Sequence, residues 1–171
     1  MTARHPLRTA GGFTLIELLI TLALVGLLAI VALPLSEVAS TRAKEAELRA
    51  DLRTIRSALD AWKAAVDTGL LARQVGESGY PPSLDVLTEP QDIANKSNSG
   101  LGQSESPQRI VFLRQLPRDP FASDPAIPAA RTWNTRSYGS RTDDPQPGAD
   151  VYDVSSTSPR IGLDGLPYST W

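Results

Sequence analysis

The chain has 171 residues, 17 Lys and Arg against 19 Asp and Glu, a formal charge of −2, no cysteine and a single histidine. That length holds one membrane anchor and one modest soluble domain, and without cysteine no disulfide can staple it. The charge forms no clustered basic patch of the kind nucleic acid requires, and His5 alone supplies neither a Ser/His or Cys/His relay nor a zinc ligand set.

The first informative segment is a short basic stretch with Arg4 and Arg8, closed by Gly11 and Gly12. Residues 13–35 follow as FTLIELLITLALVGLLAIVALPL, whose only charge is Glu17. At about 1.5 Å per residue this run reaches roughly 35 Å as a helix, enough to cross a bilayer. A carboxylate one turn into such a run is costly and calls for a partner. A cleaved secretory signal explains the run poorly: it is too long, and no small-residue cleavage site follows it. A plain signal anchor explains the length but not Glu17. The arginines before the run place the N-terminal end in the cytoplasm.

The string Gly12-Phe13-Thr14-Leu15-Ile16-Glu17 closely resembles the type IV prepilin signal. The resemblance implies cleavage between Gly12 and Phe13 by a prepilin peptidase, N-methylation of Phe13, and Glu as the fifth residue of the mature chain. Pro34 also stands where such helices often carry a proline. By the same resemblance, Glu17 is a register device. In a growing fibre it pairs with the Phe13 amine of a neighbouring subunit, removing two isolated charges from an apolar setting.

After residue 35 the sequence predicts a helix that continues to about Val66 and changes character. Between Glu37 and Glu47 the residues are small and charged, with no apolar stripe. Leu48, Leu52, Ile55, Leu59, Trp62 and Val66 then recur at alternating spacings of four and three, the mark of one buried helix face. Packing against the chain's own sheet is favoured over a coiled coil, because the stripe is too short for a sustained heptad repeat.

From Gly69 onward helical periodicity ends. Ser83 is expected to cap a short helix through Leu87, residues 89–108 read as an exposed loop, and 109–116, 132–140 and 150–155 read as strands of one small antiparallel sheet. The order of Gly79-Tyr80-Pro81-Pro82-Ser83-Leu84, Leu116-Pro117-Arg118-Asp119-Pro120-Phe121, Arg136-Ser137-Tyr138, Val151-Tyr152-Asp153-Val154 and Gly162-Leu163-Asp164-Gly165 is similar to the major pseudopilins of type II secretion. That family commonly binds calcium in its C-terminal loop. The resemblance therefore offers Asp164, with Asp150 and Asp153, as ligands of a structural calcium; no other cofactor is required. The alternative is that Asp164-Gly165 is a plain turn, with Tyr168 and Trp171 pinning the tail by packing.

The Asp143-Asp144 pair is the one carboxylate constellation that leaves a membrane-tethered hydrolase open, although its setting beside Pro145 and Pro147 reads as a solvated turn. The expected fold is α+β and pilin-like, with a long N-terminal helix, half membrane and half amphipathic, on a small antiparallel sheet and a loop-rich C-terminal half. The expected divisions are a leader at 1–12, a membrane or fibre-core helix at 13–35, and a periplasmic head at 36–171 whose helix runs to about 71. The resemblance implies a non-enzymatic subunit of an inner-membrane secretion pseudopilus, or alternatively of a type IV pilus. Its implied partners are copies of itself, other pseudopilins, the inner-membrane secretion platform, the prepilin peptidase and, before assembly, membrane lipid, but no nucleic acid.

Overall fold

The computed structural model of the protein describes residues 12–73, 76–94 and 108–171. The basic stretch up to Gly11 and the centre of the 89–108 segment lie outside the described residues. Two compact units divide the chain, Met1–Thr41 and Arg42–Trp171. One 53-residue helix, α1 (Leu15–Asp67), contributes to each.

In the first unit the helix begins at Thr14, whose carbonyl accepts the Leu18 N–H at 3.2 Å and whose hydroxyl accepts the Glu17 N–H at 3.2 Å. A side-chain oxygen meeting an orphan N–H of the first turn is the work of an N-cap. The Thr21 hydroxyl donates to the Leu18 carbonyl, so this polar group is satisfied within its own helix. Pro34 sits inside α1, where its ring nitrogen offers no N–H to the preceding turn. The large apolar side chains here are exposed, from Phe13 at 80% through Leu22 and Ile30 to Leu35. By length and composition the helix is apolar enough to cross a membrane.

In the second unit the predicted stripe is the core. Leu48, Leu52, Ile55, Leu59, Trp62 and Val66 are all buried, together with Leu84, Leu87, Leu113, Leu116, Trp133, Val151, Val154 and Tyr168. Each such side chain stabilises by about 1.5–3 kcal/mol on burial. The helix ends where Gly69 takes φ 74°, with Gly69 N–H donating to Val66 and Leu70 N–H to Ala65. Those two bonds are a Schellman C-cap, and its left-handed residue is one that glycine adopts without strain.

Four short strands follow. β1 (Gln91–Asp92) pairs antiparallel with β2 (Arg109–Ile110), and β3 (Trp133–Arg136) with β4 (Asp153–Ser156) in the register Trp133 to Ser156 and Arg136 to Asp153. Three-residue and four-residue 3₁₀ turns lie at Asp85–Leu87, Ala129–Thr132 and Tyr168–Thr170. A buried polar knot ties the loops to β4. The Asp119 carboxylate accepts from the Ser156 hydroxyl and the Phe121 N–H, while its own N–H donates to Thr132 Oγ1. Each buried polar group thereby finds a partner, as it must.

The arrangement is α+β and pilin-like, with four corrections to the reading of the sequence. The strands form two separate two-stranded sheets instead of one. The segment 109–116 is a strand only at its start, because Phe112 and Leu113 both donate to the Leu87 carbonyl and Leu113 and Leu116 then turn into the core. Gln91 and Asp92, read as loop, form the partner strand. Ser83 caps nothing: the turn begins after Leu84, a buried residue placed by packing, with no side-chain cap bond.

Candidate functional site

Two regions hold the chemistry, and each is taken by itself. At the N-terminal end, Gly12 precedes the helix, and none of the described residues comes within 4 Å of where a Cβ would stand. Phe13 is exposed, so the Gly12–Phe13 peptide is open outside regular structure. Glu17 lies in the first turn of α1, where a negative charge suits the helix dipole. Among the described residues its carboxylate has no hydrogen-bond or ion-pair partner. Thr14-Leu15-Ile16-Glu17 is a T-x-x-E capping sequence, and that spacing is the signal by which the Thr14 cap could have been read in advance.

In the second unit one buried acid is a residue the sequence reading passed over. Glu45 is 5% exposed, and its Oε1 accepts the Leu163 N–H at 2.7 Å and the Tyr168 hydroxyl at 3.0 Å. Glu45 stands three residues before Leu48, at the foot of the buried stripe, so helical spacing was the available signal. Tyr168 is fully buried, stacked on Phe121 at 4.2 Å between centroids and edge-on to Trp171 at 4.9 Å. Burial, then the bond to Glu45 and its charge, push the Tyr168 phenol up to about 12. Arg49 lies 4.0 Å over the Trp171 ring and bonds Asp164 at 3.2 Å. Arg56 donates from Nε to Asp153 at 2.7 Å, and from one Nη to the Val154 carbonyl at 3.0 Å and the backbone oxygen of Trp171 at 2.7 Å. Helix, strand β4 and tail are thus clasped together by side chains of the helix, which bond both side-chain and backbone groups.

The three aspartates offered as calcium ligands are not brought together. Asp164 faces Arg49 and accepts the Leu166 N–H. Asp153 lies between Arg56 and Arg136. Asp150 accepts from the Ser137 hydroxyl and the Tyr138 N–H. Burial pushes the Asp150 carboxyl up, but bonds from Ser137, Ser78 and Tyr138 outweigh it and hold it below the usual carboxylate range. Among the described residues no three His, Cys, Asp or Glu side chains form a metal-binding group. Asp143 and Asp144 stand on an exposed turn, the first paired with Arg141 at 2.8 Å and the second accepting from Gln146. The Arg141 bond holds the Asp143 carboxyl below its ordinary value.

Residues 7–33 match the prokaryotic N-terminal methylation motif. The N-terminus is type IV pilin-like. The match takes in Gly12, Phe13 and Glu17, and the motif is that of type IV pilin-like proteins, the structural subunits of pili and pseudopili. Processing by a prepilin peptidase and polymerisation into fibres go with that motif, and the exposed apolar helix fits anchoring in a membrane before assembly. The chain matches no curated protein and no solved structure.

Proposed function

We propose that the protein is a subunit of a type II secretion pseudopilus. The peptidase cuts between Gly12 and Phe13, and the new amine on Phe13 is methylated. The subunit then waits in the inner membrane with its head in the periplasm. On assembly, with copies of itself and other pseudopilins on the inner-membrane platform, the apolar helices leave lipid and bundle in the fibre core. Glu17 of an incoming subunit pairs there with the Phe13 amine of its neighbour and sets the register. Two isolated charges in such a core each cost several kcal/mol, so a mispaired register is penalised. The short fibre promotes export of folded proteins.

One observation carries this reading: an open Gly12–Phe13 junction leads into an apolar helical run whose described side chains are exposed and whose single acid, one turn in, has no partner among the described residues. The lack of cysteine supports the secretion branch, since many pilus subunits close their heads with a disulfide. The test is Glu17→Ala in the overproduced chain, alongside deletion of the gene. The variant is expected to be processed normally yet absent from fibres, and the deletion to stop export of a folded exoprotein while sparing surface pili. Fibres formed by the variant at the unaltered yield would remove the register role. Loss of surface pili with export intact would give the protein to the type IV pilus.

A further inference from the structure

Away from both regions, a cleft of about 450 Å³ opens beside the C-terminal end of α1. Its floor is Trp62 and Val66, its walls include Tyr80 and Tyr138, and its polar groups include Ser78 and Asp150. The volume falls in the range of small-ligand sites, which pair apolar and aromatic walls with a few fixed polar groups. Among the described residues no lysine or arginine lines it, whereas Glu77 and Asp150 do.

The two lining tyrosines, Tyr80 and Tyr138, meet a third ring, Tyr152. Tyr80 stacks on Tyr138 at 5.7 Å, and Tyr152 meets them edge-on, at 5.0 Å from Tyr80 and 5.5 Å from Tyr138. Two of these rings already hold cations of the chain itself. The Arg136 guanidinium stands 4.7 Å over Tyr152, and the Lys63 ammonium 5.9 Å from Tyr80. Among the described residues no cation stands over Tyr138, which is 61% exposed. Its backbone N–H is fixed on Asp150 Oδ1 at 2.9 Å, which also receives the Ser137 hydroxyl at 2.6 Å. Tyr138 and Asp150 both line the cleft, so one site offers an aromatic ring and a negative charge. That pairing attracts a cation partly stripped of water, by quadrupole and by charge.

We propose that this cleft binds an organic cation carried on an apolar stem, an alkyl guanidinium or ammonium whose head meets Tyr138 and Asp150 while its stem lies on Trp62 and Val66. Such a group comes from two sources, an arginine or lysine side chain of a protein partner or a free polyamine. The site is independent of the assembly reading, since none of its residues lies in the N-terminal segment.

The experiment titrates the full chain in detergent with Nα-acetyl-arginine amide, with spermidine, and with the neutral isostere Nα-acetyl-citrulline amide, by isothermal calorimetry and by NMR of the tyrosine ring signals. Binding of the arginine probe, with none for citrulline, supports the proposal and names a protein side chain as the source. Binding of spermidine alone supports it with the polyamine as source. Tyr138→Ala is expected to weaken the bound probe about tenfold, and Asp150→Asn to weaken it at least as much, with unfolding midpoints measured beside them because the Tyr138 ring also packs on Tyr80 and Tyr152. Equal binding of citrulline, no binding of either cation, or unchanged affinity in Tyr138→Ala would each overturn it.

Discussion

Glu45→Ala is the most informative single perturbation of the head. The buried carboxylate is the acceptor shown for both the Leu163 N–H and the Tyr168 hydroxyl. Truncation leaves two buried donors without it, and each such orphan costs about 1–3 kcal/mol. The void left by a buried glutamate adds to this, since surrounding side chains relax only in part. A total near 3 kcal/mol lowers the melting temperature by roughly 10 °C for a folded unit of this size. Glu45→Gln keeps one carbonyl oxygen where Oε1 stands, so it is expected to lose about 1 kcal/mol. The assay is thermal and urea unfolding of the full chain in detergent, followed by near-ultraviolet circular dichroism, which reports the packed Tyr168 and Trp171 rings. A loss below about 0.5 kcal/mol for Glu45→Ala, the scale of an ordinary surface change, would refute the clasp.

Alkaline unfolding tests the same contact from the other side. The Tyr168 phenol is raised to about 12 in the folded chain, above its ordinary value of 10.0, so the stability it contributes is complete below pH 10 and falls as pH rises toward 12. Tyr168→Phe is expected to remove that part of the pH slope, read from denaturant midpoints between pH 9 and pH 12. Gly162→Ala is expected to unfold the tail turn, because a Cβ there would stand 2.7 Å from a Trp171 ring carbon and 2.8 Å from Asp164 Oδ1; loss of the Trp171 dichroism with the rest of the head intact is the readout. Calcium is expected to leave the melting temperature unchanged against a chelator, since Asp150, Asp153 and Asp164 face other partners; a rise of several degrees would restore them as ligands.

How much could be read in advance depends on whether one residue's neighbours in sequence are also its neighbours in space. The stripe from Leu48 to Val66 was legible because helical spacing alone puts those side chains on one face. The N-terminal motif was legible for the same reason: Gly12, Phe13 and Glu17 lie within six consecutive residues of the matched segment. Strand ends were not, because β2 stops where Phe112 and Leu113 turn to the Leu87 carbonyl, a contact set by the core and not by local preference. Glu45 was missed because a charge near an apolar stripe reads as solvated until Leu163 and Tyr168, more than a hundred residues later, supply its partners. The partners of the three aspartates were not legible for a like reason. Their pairing with Arg49, Ser137 and Arg56 is long-range, and composition does not announce it.

The central claim is that the chain is made as a precursor and matured at the Gly12–Phe13 bond. The measurement that tests it most directly is the intact mass, with N-terminal fragmentation, of the protein purified from its native membrane. The account predicts a chain that begins at an N-methylated Phe13. A chain that still carries Gly12 and the residues before it would contradict the account and leave the apolar helix as a plain membrane anchor.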